Sequence, residues 1–143
     1  MKVLTEKELI ELYDVYFKKL QIACSDIPYQ NLHFFENASA IPFVVMHSDF
    51  YEYKIIERNL LIKSETTDNA DELLYWVFND ILSDLSYQFE LLNRVDNQAD
   101  CRIVAFEEKL RLFRVLNPNW AEACYEQIQV YLKKDSVVLP NID

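Results

Sequence analysis

Three features of this chain predict an α+β fold: apolar residues at helical spacing near the N-terminus, a β-branched and aromatic run from Ile41 to Thr66, and helical periodicity after it. Strands gathered in one stretch, rather than alternating with helices, separate this class from a parallel α/β sheet. The expected architecture is an N-terminal helix, a small antiparallel sheet of three to four strands, and then three C-terminal helices packed on the sheet. One domain covering residues 1–143 is expected to contain them all.

Each element has a local reason. Thr5 and Glu8 have capping-box spacing, and Leu9, Leu12, Tyr13, Tyr16, Phe17 and Leu20 carry a helix to about Cys24, before Ser25-Asp26-Ile27-Pro28 breaks it. Tyr29 to Ala40 has no clean period, with a short strand expected near Leu32 to Phe35. Pro42–His47, Tyr51–Glu57 and Leu60–Glu65 read as a three-strand meander, in which Asp49 and Asn59 are the turn residues able to take a positive φ. Such a sheet can leave one face or an edge strand open.

The second helix, from Asp68 to Val95, organises the rest. Leu74, Phe78, Ile81, Leu82, Leu85, Phe89 and Leu92 share a face that must be buried, widened by Val77 and Val95. Trp76, Asp80, Ser83, Tyr87, Glu90 and Arg94 form a second stripe, and Asp96-Asn97 is the expected end. A third helix runs from about Asp100 to Leu116 on Ile103, Phe106, Leu110, Leu112 and Phe113. A fourth opens at Asn117-Pro118 and runs to about Leu132, packing through Trp120, Cys124, Ile128 and Tyr131. Val137 to Asp143 is a tail.

Composition excludes several functions. A chain of 143 residues, 51% of them hydrophobic, can bury a core without disulfide or metal staples. It contains no glycine, which rules out a phosphate-cradling P-loop, a dinucleotide fingerprint and a Gly-x-Ser-x-Gly elbow. A net charge of −10 argues against nucleic-acid binding and favours a basic partner or solubility. From Thr66 to Val95 the acids Asp68, Asp71, Glu72, Asp80, Asp84 and Glu90 face the single base Arg94. No signal peptide or membrane span is legible, so a cytoplasmic protein without membrane association is expected. Cys24, Cys101 and Cys124 form no Cys-x-x-Cys pair and read as buried free thiols.

Catalytic signals are sparse. His33 near Glu36 and Asp49, and His47 beside Glu52, lack metal-ligand spacing; the cysteines have no placed base, and Ser83-Asp84 is helix surface. No cofactor, metal or enzymatic activity is expected. Glu90 and Arg94, one turn apart, read as an ion pair, or as part of a hydrogen-bonded cluster of Tyr87, Glu90, Arg94, Gln98, Asp100 and Arg102 that sets a helix crossing or faces a partner.

Asp71-Glu72-Leu73-Leu74-Tyr75-Trp76-Val77-Phe78, Phe89-Glu90-Leu91 with Arg94, Asn97-Gln98, Asp100 and Arg102, and Leu116-Asn117-Pro118 with Trp120-Ala121-Glu122 resemble the immunity protein 63 family of bacterial polymorphic-toxin systems. The likeness covers roughly Thr67 to Leu132 and departs from the family pattern at Phe89, Ala99 and Arg102-Ile103. It implies a non-enzymatic antidote that binds the toxin domain encoded beside it. A nuclease-like toxin would carry a basic cleft, for which Asp68, Asp71, Glu72, Asp80 and Asp84, with Trp76 as anchor, form the expected contact surface. The alternatives are a self-associating adaptor, dimeric through the second stripe, and a small hydrolase built on carboxylates or on His33 and His47.

Overall fold

The computed structural model describes residues 3–94 and 100–135. Its elements are α1 (Glu6–Ala23), β1 (Phe43–Met46), β2 (Tyr51–Glu57), β3 (Leu60–Thr67), α2 (Ala70–Leu92), α3 (Cys101–Leu116) and α4 (Pro118–Lys133). The expected α+β order of helix, antiparallel sheet and three helices is therefore present, with three strands in the order β1-β2-β3. The chain forms two compact units, Met1–Phe78 and Asn79–Asp143.

In the first unit, α1 starts where the capping box predicts. The Thr5 hydroxyl accepts the Glu8 N–H at 3.1 Å, and the Glu8 carboxylate accepts the Thr5 N–H at 3.0 Å. Leu9, Tyr13, Phe17 and Leu20 are buried, one residue per turn. They meet the first half of α2, where Phe78 stacks on Tyr13 with ring centroids 5.2 Å apart. Asn69 caps α2, its side-chain oxygen accepting the N–H groups of Asp71 and Glu72 at 2.8 and 3.2 Å. Phe43, Val44, Tyr51 and Tyr53 bring the sheet into the same core.

No strand forms near Leu32 to Phe35; instead the His33 carbonyl accepts the Val44 N–H at 2.8 Å, one contact along the outer edge of β1. The β2–β3 turn uses Arg58 (φ 52°) and Asn59 (φ 66°), both left-handed. A two-residue hairpin needs that conformation at both centres, so Arg58 accepts a cost of about 1 kcal/mol that glycine would avoid. Asp49 does not take the positive φ expected of it, since the longer β1–β2 link closes through His47 N–H to the Phe50 carbonyl at 3.0 Å.

The second unit corrects the reading of α2. Its buried residues run from Leu73, Leu74, Val77 and Phe78 to Leu82, Ser86 and Glu90, whereas Phe89 is 38% and Leu92 85% exposed. Steps of four residues advance about 40° around a helix, so the buried direction winds along α2, and a fixed wheel misplaces its last turns. The helix also ends at Leu92, before the expected Asp96-Asn97. Asp96, Asn97 and Gln98, like Val95 and the tail from Val137 to Asp143, lie outside the described residues.

Asn117 joins α3 to α4. Its N–H donates to the Phe113 carbonyl at 2.8 Å, its side chain accepts the Asn119 N–H at 3.0 Å, and Pro118 follows at the first helical position. Phe113 then meets Trp120 edge-on at 6.4 Å. Leu110, Leu112, Phe113 and Leu116 are buried as expected or close to it, while Ile103 and Phe106 are half-buried. Tyr131, expected inside, is 49% exposed; its ring lies beneath the Arg102 guanidinium at 5.6 Å, and Leu132 takes the buried place.

Candidate functional site

The acids singled out in the sequence remain accessible. Asp68, Asp71 and Glu72, around the start of α2, are exposed. Placed by the Asn69 cap, the last two lie in the first turn, where the positive end of the helix dipole favours negative charge. Trp76 is half-buried, its ring 6.4 Å from that of Tyr53, so part of its surface belongs to the first unit's core. Farther along α2, Asp84 is exposed and Asp80 half-buried.

The polar residues Tyr87, Glu90, Arg94, Asp100 and Arg102 resolve into two ion-pair groups, and Gln98 lies outside the described residues. Glu90 is 2% exposed, and both its carboxylate oxygens accept from Arg94, Nε and Nη2 each at 2.9 Å. That bidentate contact holds the Glu90 carboxyl below the usual carboxylate range and raises Arg94. Tyr87 takes no part in that pair's hydrogen bonds and is 61% exposed. Arg102 turns elsewhere. It is bidentate to Asp100, reaches Asp135 at 2.8 Å, and bonds Tyr131, which raises its pKa far above the ordinary value. These contacts tie the start of α3 to the end of α4, so Arg102 and Asp100 clamp a helix pair. A second buried carboxylate, Glu108, is held by Arg111 at 2.7 and 2.9 Å.

The residues considered for catalysis do not converge. His47 contacts Glu52 at 3.1 Å and stacks on Phe50 at 4.3 Å; that contact, with help from Ser64 and Lys54, lowers the Glu52 pKa. His33 stands edge-on to Phe35 at 5.8 Å. Among the described residues no group of three His, Cys, Asp or Glu side chains could hold a metal ion. The cysteines are free, but only Cys124 is buried; Cys24 is half-buried and Cys101 exposed, a correction to the expectation that all three sit inside. Burial raises the Cys124 thiol, which disfavours its nucleophilic thiolate form. A cleft of about 390 Å³ in the second unit has Cys124 in its wall beside Phe106, Tyr131 and Arg102, and the guanidinium there is already committed to two aspartates.

Sequence reasoning missed the most exposed apolar run of the sheet. Leu60, Leu61 and Ile62 at the start of β3 are 66%, 59% and 57% exposed. The signal lies in the sequence itself: three consecutive aliphatic residues break the alternation that a strand with one buried face requires.

These elements define a small acidic α+β protein whose outward chemistry consists of carboxylates and an open sheet edge. The chain belongs to the immunity protein 63 family, whose model matches residues 48–130. The match begins upstream of the Thr67 boundary expected from the motifs and takes in β2 and β3, so those strands are part of what defines the family. No curated protein and no solved structure matches the chain. No helix among the described residues is long and apolar enough to cross a membrane.

Proposed function

We propose that this protein is a non-enzymatic cytoplasmic antidote that neutralises a cognate toxin domain by binding it directly, with carboxylates of α2 contacting a basic, nuclease-like cleft. Membership of an immunity-protein family carries the reading. Charge supports it: a chain of net charge −10 accelerates encounter with a basic partner, and Asp68, Asp71, Glu72 and Asp84 stand exposed to meet one. Asp80 and Trp76, half-buried, offer smaller contacts beside them. Carboxylates also suit the task chemically, because a cleft evolved to hold phosphates accepts other anions.

Co-expression with the toxin domain encoded beside this chain tests the proposal. Growth rescue is expected, with a complex whose affinity falls as salt rises. The double charge reversal Asp80→Lys and Asp84→Lys should weaken binding and flatten that salt dependence. Rescue that ignores the reversals would place the contact on another surface, and absence of rescue by the unaltered protein would end the reading.

A further inference from the structure

The open edge of β3 has the geometry of an interface between two copies of this chain. Backbone direction along β3 follows from the register. The Val44 N–H donates to His33, away from β2, and Val44 stands opposite Tyr53, so the Tyr53 amide faces β3. Tyr53 stands opposite Glu65, which makes Glu65 a ladder residue whose N–H and C=O point to β2. Alternation then turns the N–H and C=O of Ser64 and of Thr66 toward the open edge. Among the described residues no other strand adjoins β3 in the three-stranded sheet. Leu60, Leu61 and Ile62 are exposed beside it, and of the usual protections this edge carries only the charges of Lys63 and Glu65 and one bulge, which leaves Ile62 without a partner in the β2–β3 register.

We propose that β3 pairs antiparallel with β3 of a second copy about a twofold axis at Ser64, joining two sheets into one of six strands. In that register Ser64 meets Ser64 of the second copy as a hydrogen-bonded pair. Lys63 falls opposite Glu65, and by symmetry Glu65 opposite Lys63, in positions where side chains approach most closely. Ile62, the residue that the β2–β3 bulge leaves unpaired, bounds this ladder. The register one step earlier would set Lys63 against Lys63, and the one a step later Glu65 against Glu65, so charge selects the one between.

The same charges choose the occupant. From Leu60 to Thr67 the only charged residues are Lys63 and Glu65, so the strand is neutral within a chain of net charge −10. A basic partner is drawn to the acids elsewhere, whereas a second copy, repelled by most of this surface, meets no net charge here. A single strand pair buries less than about 1,200 Å², which places the dimer among weak, reversible associations. None of the α2 acids lies within β3, although Asp68 adjoins its end, so failure of strand pairing would leave the toxin-binding reading intact, and the reverse holds too.

Sedimentation of the full chain from low to about 200 µM reads the proposal, in a range where weak strand pairing becomes populated. The mass should rise from one chain toward two. Ser64→Pro removes an N–H that faces the open edge and leaves the β2 ladder whole, so it should hold the protein monomeric with an unchanged circular dichroism spectrum. Lys63→Glu and Glu65→Lys should each abolish the dimer by opposing like charges, and the two together should restore it. The rescue cannot come from a variant that has failed to fold. A monomer at every concentration overturns the proposal, as does a dimer untouched by Ser64→Pro or by either charge change. A monomer whose toxin complex is lost on Ser64→Pro would give the edge to the toxin and likewise overturn it.

Discussion

The Glu90 carboxylate, 2% exposed, receives two hydrogen bonds of 2.9 Å from the Arg94 guanidinium one turn later on α2. Arg94 itself reaches into solvent, with its side chain 54% exposed. Its removal leaves a buried carboxylate without the guanidinium that both its oxygens accept from. Arg94→Ala should therefore lower the urea midpoint, and Glu90→Met with Arg94→Met should recover much of the loss, because it removes both charges together. Equal midpoints for Arg94→Ala and the parent would show that the pair contributes nothing.

Acid should weaken the fold through the same contact. Glu90, Asp100 and Glu52 all have carboxyl pKa values lowered in the folded chain, chiefly by hydrogen bonds from Arg94, Arg102 and His47 respectively. A lowered folded value contributes stability that is complete above the unfolded value, about 4, and is lost as pH falls through the folded one. Stability measured by urea titration should be flat near neutrality and fall below about pH 4. Glu90→Gln should make that fall shallower, and an identical acid profile in the variant would refute the assignment.

At the alkaline end the sign reverses. The Tyr29 phenol is pushed up to about 12, first by packing against neighbours and then by donation to Asp14 at 2.5 Å. A phenol raised in the folded state contributes stability that is full below the unfolded value, about 10, and disappears as pH climbs through the folded one. Ultraviolet titration should show Tyr13, Tyr29 and Tyr51 ionising late, and Tyr29→Phe should shrink that late component by one phenol. A late component of undiminished size would leave it to Tyr13, whose buried hydroxyl donates to the Gln30 carbonyl at 2.7 Å, and to Tyr51.

Two residues of α2 that look alike in the sequence should behave differently. Phe78, fully buried and stacked on Tyr13, should cost about 3–5 kcal/mol when replaced by alanine. Leu92, at 85% exposure, should change stability by less than about 0.5 kcal/mol in the same substitution. Chemical denaturation of both variants checks the winding of the buried face, and comparable losses would contradict it.

The N-terminal cap provides a local test. Thr5→Ala removes the acceptor for the Glu8 N–H and should destabilise by about 1 kcal/mol, with loss of helical signal confined to the first turn. Hydrogen exchange of the amides near Glu8 would register it, and unaltered exchange would show the cap to be idle.

Some features of the site were legible without coordinates because they depend on near neighbours. The Thr5–Glu8 capping box, the Asn117 cap, Pro118 at a helix start and the Glu90–Arg94 spacing are short-range relations that a linear reading captures. Arg102 defeated that reading, since its second aspartate, Asp135, lies 33 residues away, and only the antiparallel return of α4 brings them together.

Residue periodicity therefore determined the element types and their order, and composition the absence of glycine-dependent catalytic loops, because both can be read within one segment; the likeness to immunity proteins came from the resemblance of its motifs to that family. Tertiary structure decided which side of each element meets the core. Burial depends on which surfaces arrive from elsewhere, and that is why Glu90 lies inside while Leu92 and the aliphatic start of β3 remain in water.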